Sequence, residues 1–125
     1  MRLEIAERQI GAVTILDLSG KLTIDQDAQR LKDKINSLIH QQHTRVVLNL
    51  GDVSYIDSGG LGQLVSSYGS LAKTNGGLKL LHVNKRNHDL LSITRLVTIF
   101  ETFDSEAEAV KSFDRPSGST APAGA

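Results

Sequence analysis

Asp57-Ser58-Gly59-Gly60-Leu61-Gly62 places a carboxylate, a hydroxyl and a run of glycines where a strongly apolar segment stops and a helical pattern starts. A serine in that position has three possible chemistries. It can cap the helix, its oxygen accepting from a backbone N–H of the first turn while the glycines permit a tight turn. It can act as a nucleophile, which requires a base within hydrogen-bond reach and a group orienting that base. It can also carry a phosphate, about −1.5 to −2 charge, at a helix N-terminus whose exposed N–H groups and dipole tolerate an anion. The nucleophile reading lacks visible machinery, because His40, His43, His82 and His88 lie in no recognisable motif and Gly-x-Ser-x-Gly fails with Ile at 56. Asp57 strengthens the phosphate reading, since a dianion beside a carboxylate makes the loop strongly acidic and repels a docked partner without disturbing the fold.

The elements that position this serine follow from periodicity. Val46-Val47-Leu48-Asn49-Leu50 is short and lacks alternation, as a strand covered on both faces does. After it, Leu61, Leu64, Val65, Tyr68, Leu71 and Ala72 mark one face of a helix that begins near Gly59 and stops, left-handed, near Asn75-Gly76-Gly77. Upstream, Leu3 and Ile5 alternate with Glu4 and Glu7, Gly11 punctuates, and Val13 to Leu18 follows, which predicts a hairpin. Ala28, Leu31, Ile35, Leu38 and Ile39 define a first helix that Asp25 or Asp27 can cap. Downstream come a strand at Leu78 to Val83, a short helix capped by Asn87 and running through Leu90, Leu91 and Thr94, and an edge strand from Val97 to Phe103. Ser105 and Glu108 form a capping box for a last helix carrying Ala107, Val110 and Phe113. The sum is an α/β domain in which a hairpin leads into strand-helix-strand units on a mixed sheet. From Pro116 the chain has nothing to bury and reads as a disordered tail, residues 116–125.

Composition narrows the function classes. A chain of 125 residues, 39% hydrophobic, supports one domain with a real core. Its 14 basic and 14 acidic residues balance, which recommends neither nucleic acid nor an anionic membrane as partner. Cysteine is absent, so disulfides and thiolate metal sites are excluded. No apolar window reaches the roughly 18 residues of a membrane span, and Met1 to Arg8 mixes charges where a signal peptide is apolar; the reading is cytoplasmic. His40 and His43 lack further ligands for a metal, and no Gly-x-x-x-x-Gly-Lys loop exists for nucleotide hydrolysis. Lys85, Arg86, His88 and Arg95 form a cationic cluster best read as a solvated helix face.

The strand Val46 to Leu50 with Val53-Ser54-Tyr55-Ile56-Asp57-Ser58-Gly59-Gly60-Leu61-Gly62, Gly20-Lys21-Leu22-Thr23 upstream and Ile99 to Ala109 downstream, resembles the bacterial STAS-domain anti-sigma factor antagonists. The resemblance implies one STAS-like domain over residues 1–115, a four-to-five-stranded mixed sheet with roughly four helices, and no enzymatic activity or cofactor. It also implies that the unmodified protein binds an anti-sigma factor that is a serine kinase and thereby frees a sigma factor. The kinase phosphorylates Ser58, the phosphorylated form dissociates, and a serine phosphatase resets it. Partner contacts then fall on Thr23, Asp25, Asp57, Gly59 and Leu61, where Asp25 has helix capping and Leu61 core packing as competing roles. Many members carry Ser or Thr after the motif serine; Gly59 leaves Ser58 the motif's one hydroxyl. The alternative reading keeps the fold and makes the chain a permanent STAS subunit of a membrane transporter, a lipid-trafficking assembly or a signalling scaffold, without a labile phosphate.

Overall fold

The computed structural model describes residues 3–24 and 26–114. The hairpin is β1 (Glu4–Ile10) and β2 (Val13–Leu22), followed by α1 (Gln26–His40), β3 (Arg45–Ile56) and α2 (Ser58–Ala72). Then come β4 (Gly77–Leu81), α3 (Lys85–Ile93), a 3-10 turn (Leu96–Thr98), β5 (Thr102–Phe103) and α4 (Glu106–Ser112). The sheet order is β1-β2-β3-β4-β5, with β1 antiparallel to β2 and every later pair parallel. This is the mixed α/β sheet that the sequence pattern predicts. The predicted tail lies outside the described residues.

Two apolar layers explain why β3 shows no alternation. Val46, Leu48 and Leu50 pack in the main core with Leu31, Ile35 and Leu38 of α1 and Leu61, Leu64 and Leu71 of α2. On the other face Val47 joins Val13, Ile15, Leu81 and Ala109 in a smaller core, against which Val110 and Phe113 pack. Burial on both faces removes the polar partner positions that period-2 patterning needs.

Several local expectations are corrected. β3 continues well past Leu50, because its second half pairs with the end of β2, Ser19 opposite Asp52 through Leu22 opposite Ile56, after register shifts near Ser19 and Gly20. The left-handed stop of α2 is not found: the helix closes at Lys73 with φ −78°, and the Thr74 hydroxyl accepts from Gly76 N–H and donates to Leu71 C=O. Asn84, not Asn87, caps α3, accepting from Asn87 N–H at 2.8 Å. The edge strand shrinks to Thr102–Phe103, because Leu96 and Val97 turn onto the core and Phe100 buries edge-on against Tyr68, 5.4 Å between ring centres. Ser105 does cap α4, accepting from Glu108 N–H, yet Ala109 and Ser112 are its buried residues while Ala107 is exposed. Ala72 of α2 is likewise exposed.

One polar cluster ties the hairpin to α4. The Arg8 guanidinium donates to both Asp17 oxygens, at 2.6 and 3.0 Å, and to Glu106 at 2.6 Å, while Asn49 donates to Asp17 at 2.9 Å. The hydrogen bonds from Arg8 hold the Asp17 carboxyl below the usual range; burial opposes them and Asn49 adds to them. A depressed folded-state value stabilises above the unfolded carboxylate value, near pH 4, and that stabilisation disappears as pH falls through the folded one. Asp17→Asn is therefore expected to lower stability by on the order of 1 kcal/mol or less at pH 7, as partly exposed pairs do. Denaturant titrations between pH 7 and pH 2.5 should show the difference closing on the acid side. A difference independent of pH would refute the assignment.

Candidate functional site

The end of β3 and the start of α2 are built around the carboxylate of Asp57. Its backbone is extended, φ −92° and ψ −178°, as an N-cap residue requires, and its Oδ1 accepts from Gly60 N–H at 2.7 Å. Its Oδ2 accepts from Ile24 N–H at 3.0 Å, so the same side chain fastens the loop between β2 and α1 to the helix. Leu22 C=O accepts from Asp57 N–H at 3.1 Å, which lays the segment from Leu22 to Ile24 across the first turn of α2.

Ser58 is thereby relieved of the capping role that its position suggested. It is exposed, the first residue of α2, and among the described residues no side chain hydrogen-bonds its hydroxyl. No acidic residue lies in the first turn of α2, so the positive end of the helix is offset only by the cap. A phosphate on Ser58 would meet free backbone N–H groups on one side and the Asp57 carboxylate on the other.

The glycines of the motif differ in kind. A Cβ at Gly60 would overlap Leu22 C=O, and one at Gly59 would overlap Ile24, so the chain crossing requires both. At Gly62 a Cβ would meet nothing.

The structure distributes the other predicted partner residues unevenly. Thr23 is half-buried, its hydroxyl donating to Asp27 at 3.4 Å and its carbonyl accepting from Ala28 N–H at 2.9 Å. Asp25 lies outside the described residues. Asp27 is not the cap of α1 but lies inside the helix: 9% exposed, it accepts from Leu3 N–H at 3.2 Å and so holds the start of the chain. Leu61, 8% exposed, belongs to the main core. Sequence reasoning passed over three exposed apolar residues: Ile24 at 67%, Tyr55 at 43% and Ile93 at 81%. Tyr55 and Ile93 line a cleft of about 250 Å³ with Ile56, Arg86, Asn87 and Leu90. The local pattern does not mark them: Tyr55 stands between Ser54 and Ile56, and Ile24 between Thr23 and Asp25. Two members of the predicted cationic cluster have local partners, Lys85 with Asp89 at 3.2 Å and Arg86 with Ser54 C=O at 3.4 Å. Among the described residues no three His, Asp or Glu side chains gather to hold a metal, and no helix is long and apolar enough to cross a membrane.

The chain is an α/β module with a serine spared from capping at the β3–α2 junction, and the family profile of the STAS domain matches residues 4–109. The chain belongs to the STAS domain family. It is 29% identical over 113 residues to the anti-sigma F factor antagonist of Paenibacillus polymyxa, covering 88% of this chain and 94% of that one. It is 33% identical over 86 residues to the anti-sigma-B factor antagonist of Bacillus subtilis, covering 69% of this chain and 77% of that one. Among solved structures, a Thermotoga maritima protein assigned provisionally as an anti-sigma factor antagonist superposes with a TM-score of 0.82 at 27% identity, over 89% of this chain and 95% of that chain.

The glycine geometry yields a paired prediction. Gly62→Ala should stabilise by roughly 0.5–1 kcal/mol, the helix-propensity difference at an unobstructed site. Gly60→Ala should destabilise by about 1–3 kcal/mol through overlap with Leu22 C=O. Equilibrium denaturation of both variants checks the pair, and equal effects would contradict the crossing described here.

Proposed function

We propose that the protein is an anti-sigma factor antagonist whose partner choice is set by the phosphorylation state of Ser58. The observation that carries this reading is that Asp57 performs the capping, leaving the Ser58 hydroxyl exposed and unneeded by the fold. The unmodified form binds an anti-sigma factor that is also a serine kinase, which supplies the ATP, and so releases a sigma factor. Transfer of phosphate to Ser58 adds about −1.5 to −2 charge beside Asp57 and ends the contact, and a serine phosphatase restores it. The chain has no catalytic activity of its own in this scheme and works in the cytoplasm. Exposed Ile24, whose N–H the Asp57 carboxylate holds, supplies apolar area beside Ser58. A permanent docking subunit of a transporter or scaffold would have no use for a hydroxyl kept out of the helix cap.

Incubation with an anti-sigma factor kinase of the same organism and ATP, followed by peptide mass spectrometry, should locate the phosphate on Ser58. Ser58→Ala should accept none, and phosphate appearing elsewhere in that variant would overturn the site. Ser58→Asp should melt as the wild type does and bind the kinase at least tenfold more weakly in calorimetry, about 1.4 kcal/mol. Equal affinity would remove the electrostatic mechanism.

A further inference from the structure

The connection between α2 and β4 is Lys73-Thr74-Asn75-Gly76, and it holds the chain's one Asn-Gly pair. Such a pair carries its own reactants, because the glycine nitrogen can close a ring on the asparagine side-chain carbonyl and no side chain obstructs its approach. The fold requires this glycine: a Cβ at residue 76 would overlap the Thr44 carbonyl oxygen. Asn75 is exposed and borders an open cleft of about 260 Å³, so water reaches it. The Gly76 N–H, however, is engaged. It donates to the Thr74 hydroxyl at 2.9 Å, and that hydroxyl donates to Leu71 C=O at 2.6 Å, which ties the reactive nitrogen to the last turn of α2.

We infer that Asn75-Gly76 is a deamidation site, the first asparagine of this chain to convert, and that the Thr74 hydroxyl restrains it by holding the Gly76 N–H. In the reaction the Gly76 nitrogen loses its proton and bonds to Asn75 Cγ, the Cγ–Nδ2 bond breaks, and ammonia leaves with that proton. Water then opens the cyclic imide. Hydrolysis at Cγ yields aspartate; hydrolysis at the main-chain carbonyl yields isoaspartate, whose backbone runs through Cβ and Cγ. Both products place a negative charge just past the C-terminal end of α2, where the helix dipole disfavours an anion. Isoaspartate does more, because it lengthens the main chain where Gly76 lies against Thr44 and Gly77 N–H donates to Thr44 C=O at 2.8 Å. The pairing of Gly77 with Arg45 at the start of β4 is then strained. Ser58 stands at the other end of α2, roughly 20 Å away by helix rise, so this chemistry is independent of the proposed switch.

The test incubates purified wild-type protein, Thr74→Val, Thr74→Ser and Asn75→Gln in mildly alkaline buffer, with wild type in guanidinium chloride as the unfolded reference. Peptide mass spectrometry reads amide loss at each asparagine, and isoaspartyl methyltransferase labelling reads isoaspartate. In the native wild type, conversion should come first at Asn75, ahead of exposed Asn36 in α1, and run roughly tenfold slower than in the unfolded chain, because the turn must open before the ring can close. Thr74→Val should speed Asn75 about threefold or more while Asn36 and Asn84 keep their rates, since only the local turn is released. Thr74→Ser, which keeps the hydroxyl, should convert as the wild type does, and Asn75→Gln should lose the isoaspartate label. Another asparagine converting before Asn75 in the native protein overturns the site. Equal rates in native and unfolded wild type, or in Thr74→Val and wild type, overturn the restraint. Acceleration of every asparagine in Thr74→Val assigns the effect to global unfolding and overturns it as well.

Discussion

The Asp57 carboxylate is the interaction on which the arrangement of the site depends, because its two oxygens serve two different pieces of chain. One satisfies Gly60 N–H, among the first four N–H groups that α2 cannot pair internally; the other satisfies Ile24 N–H in the loop after β2. A neutral hydroxyl cap could do the first task, but a carboxylate accepts in two directions at once and makes the stronger, charge-assisted bonds. With the cap supplied one residue earlier, Ser58 enters the helix with its hydroxyl in solvent. Removing the carboxylate would therefore cost more than the roughly 1 kcal/mol of an ordinary N-cap, since it would also release the crossing segment that Gly59 and Gly60 accommodate.

That crossing exists because of the sheet. Leu22 pairs with Ile56, so β2 and β3 end level with each other and the chain leaving β2 must pass over the start of α2. The register shifts near Ser19 and Gly20, where Gly20 has φ +103°, bend β2 into that alignment. α3 is drawn to the same end: the side-chain amides of Asn84 and Asn87 both donate to Val53 C=O, at 3.2 and 3.1 Å. The Arg8 cluster and the smaller core fix α4 on the opposite face, so the strand ends that carry Ser58 rest on a sheet supported from both sides.

Legibility in the sequence tracked how local each determinant is. Double-sided burial of Val46 to Leu50, the α1 stripe and the Ser105 cap of α4 depend on spacing within one element and could be read directly. The cap of α2 could not, because Asp57 and Ser58 are both good capping residues and the choice depends on where β3 ends. That end is set by pairing with β2, more than thirty positions upstream in the chain. Asn84 and Asn87 posed the same ambiguity, since two asparagines three apart can exchange the roles of cap and N3 residue. The exposure of Ile24 was illegible for a related reason: the residue lies beside Ser58 only after the β2–β3 register is formed.

The fold also limits how a charge on Ser58 can be read. The chain has no net formal charge, 14 basic against 14 acidic residues, and charges in solvent are screened over about 8 Å at physiological ionic strength. A phosphate at this exposed position is thus felt by the first turn of α2, by Asp57 and by whatever touches them, and hardly by the two cores. The helix end offers free N–H groups that favour an anion, and in the unmodified protein Asp57 makes the two bonds that hold the loop. A partner that detects the phosphate must therefore do so in direct contact with the junction of β3 and α2.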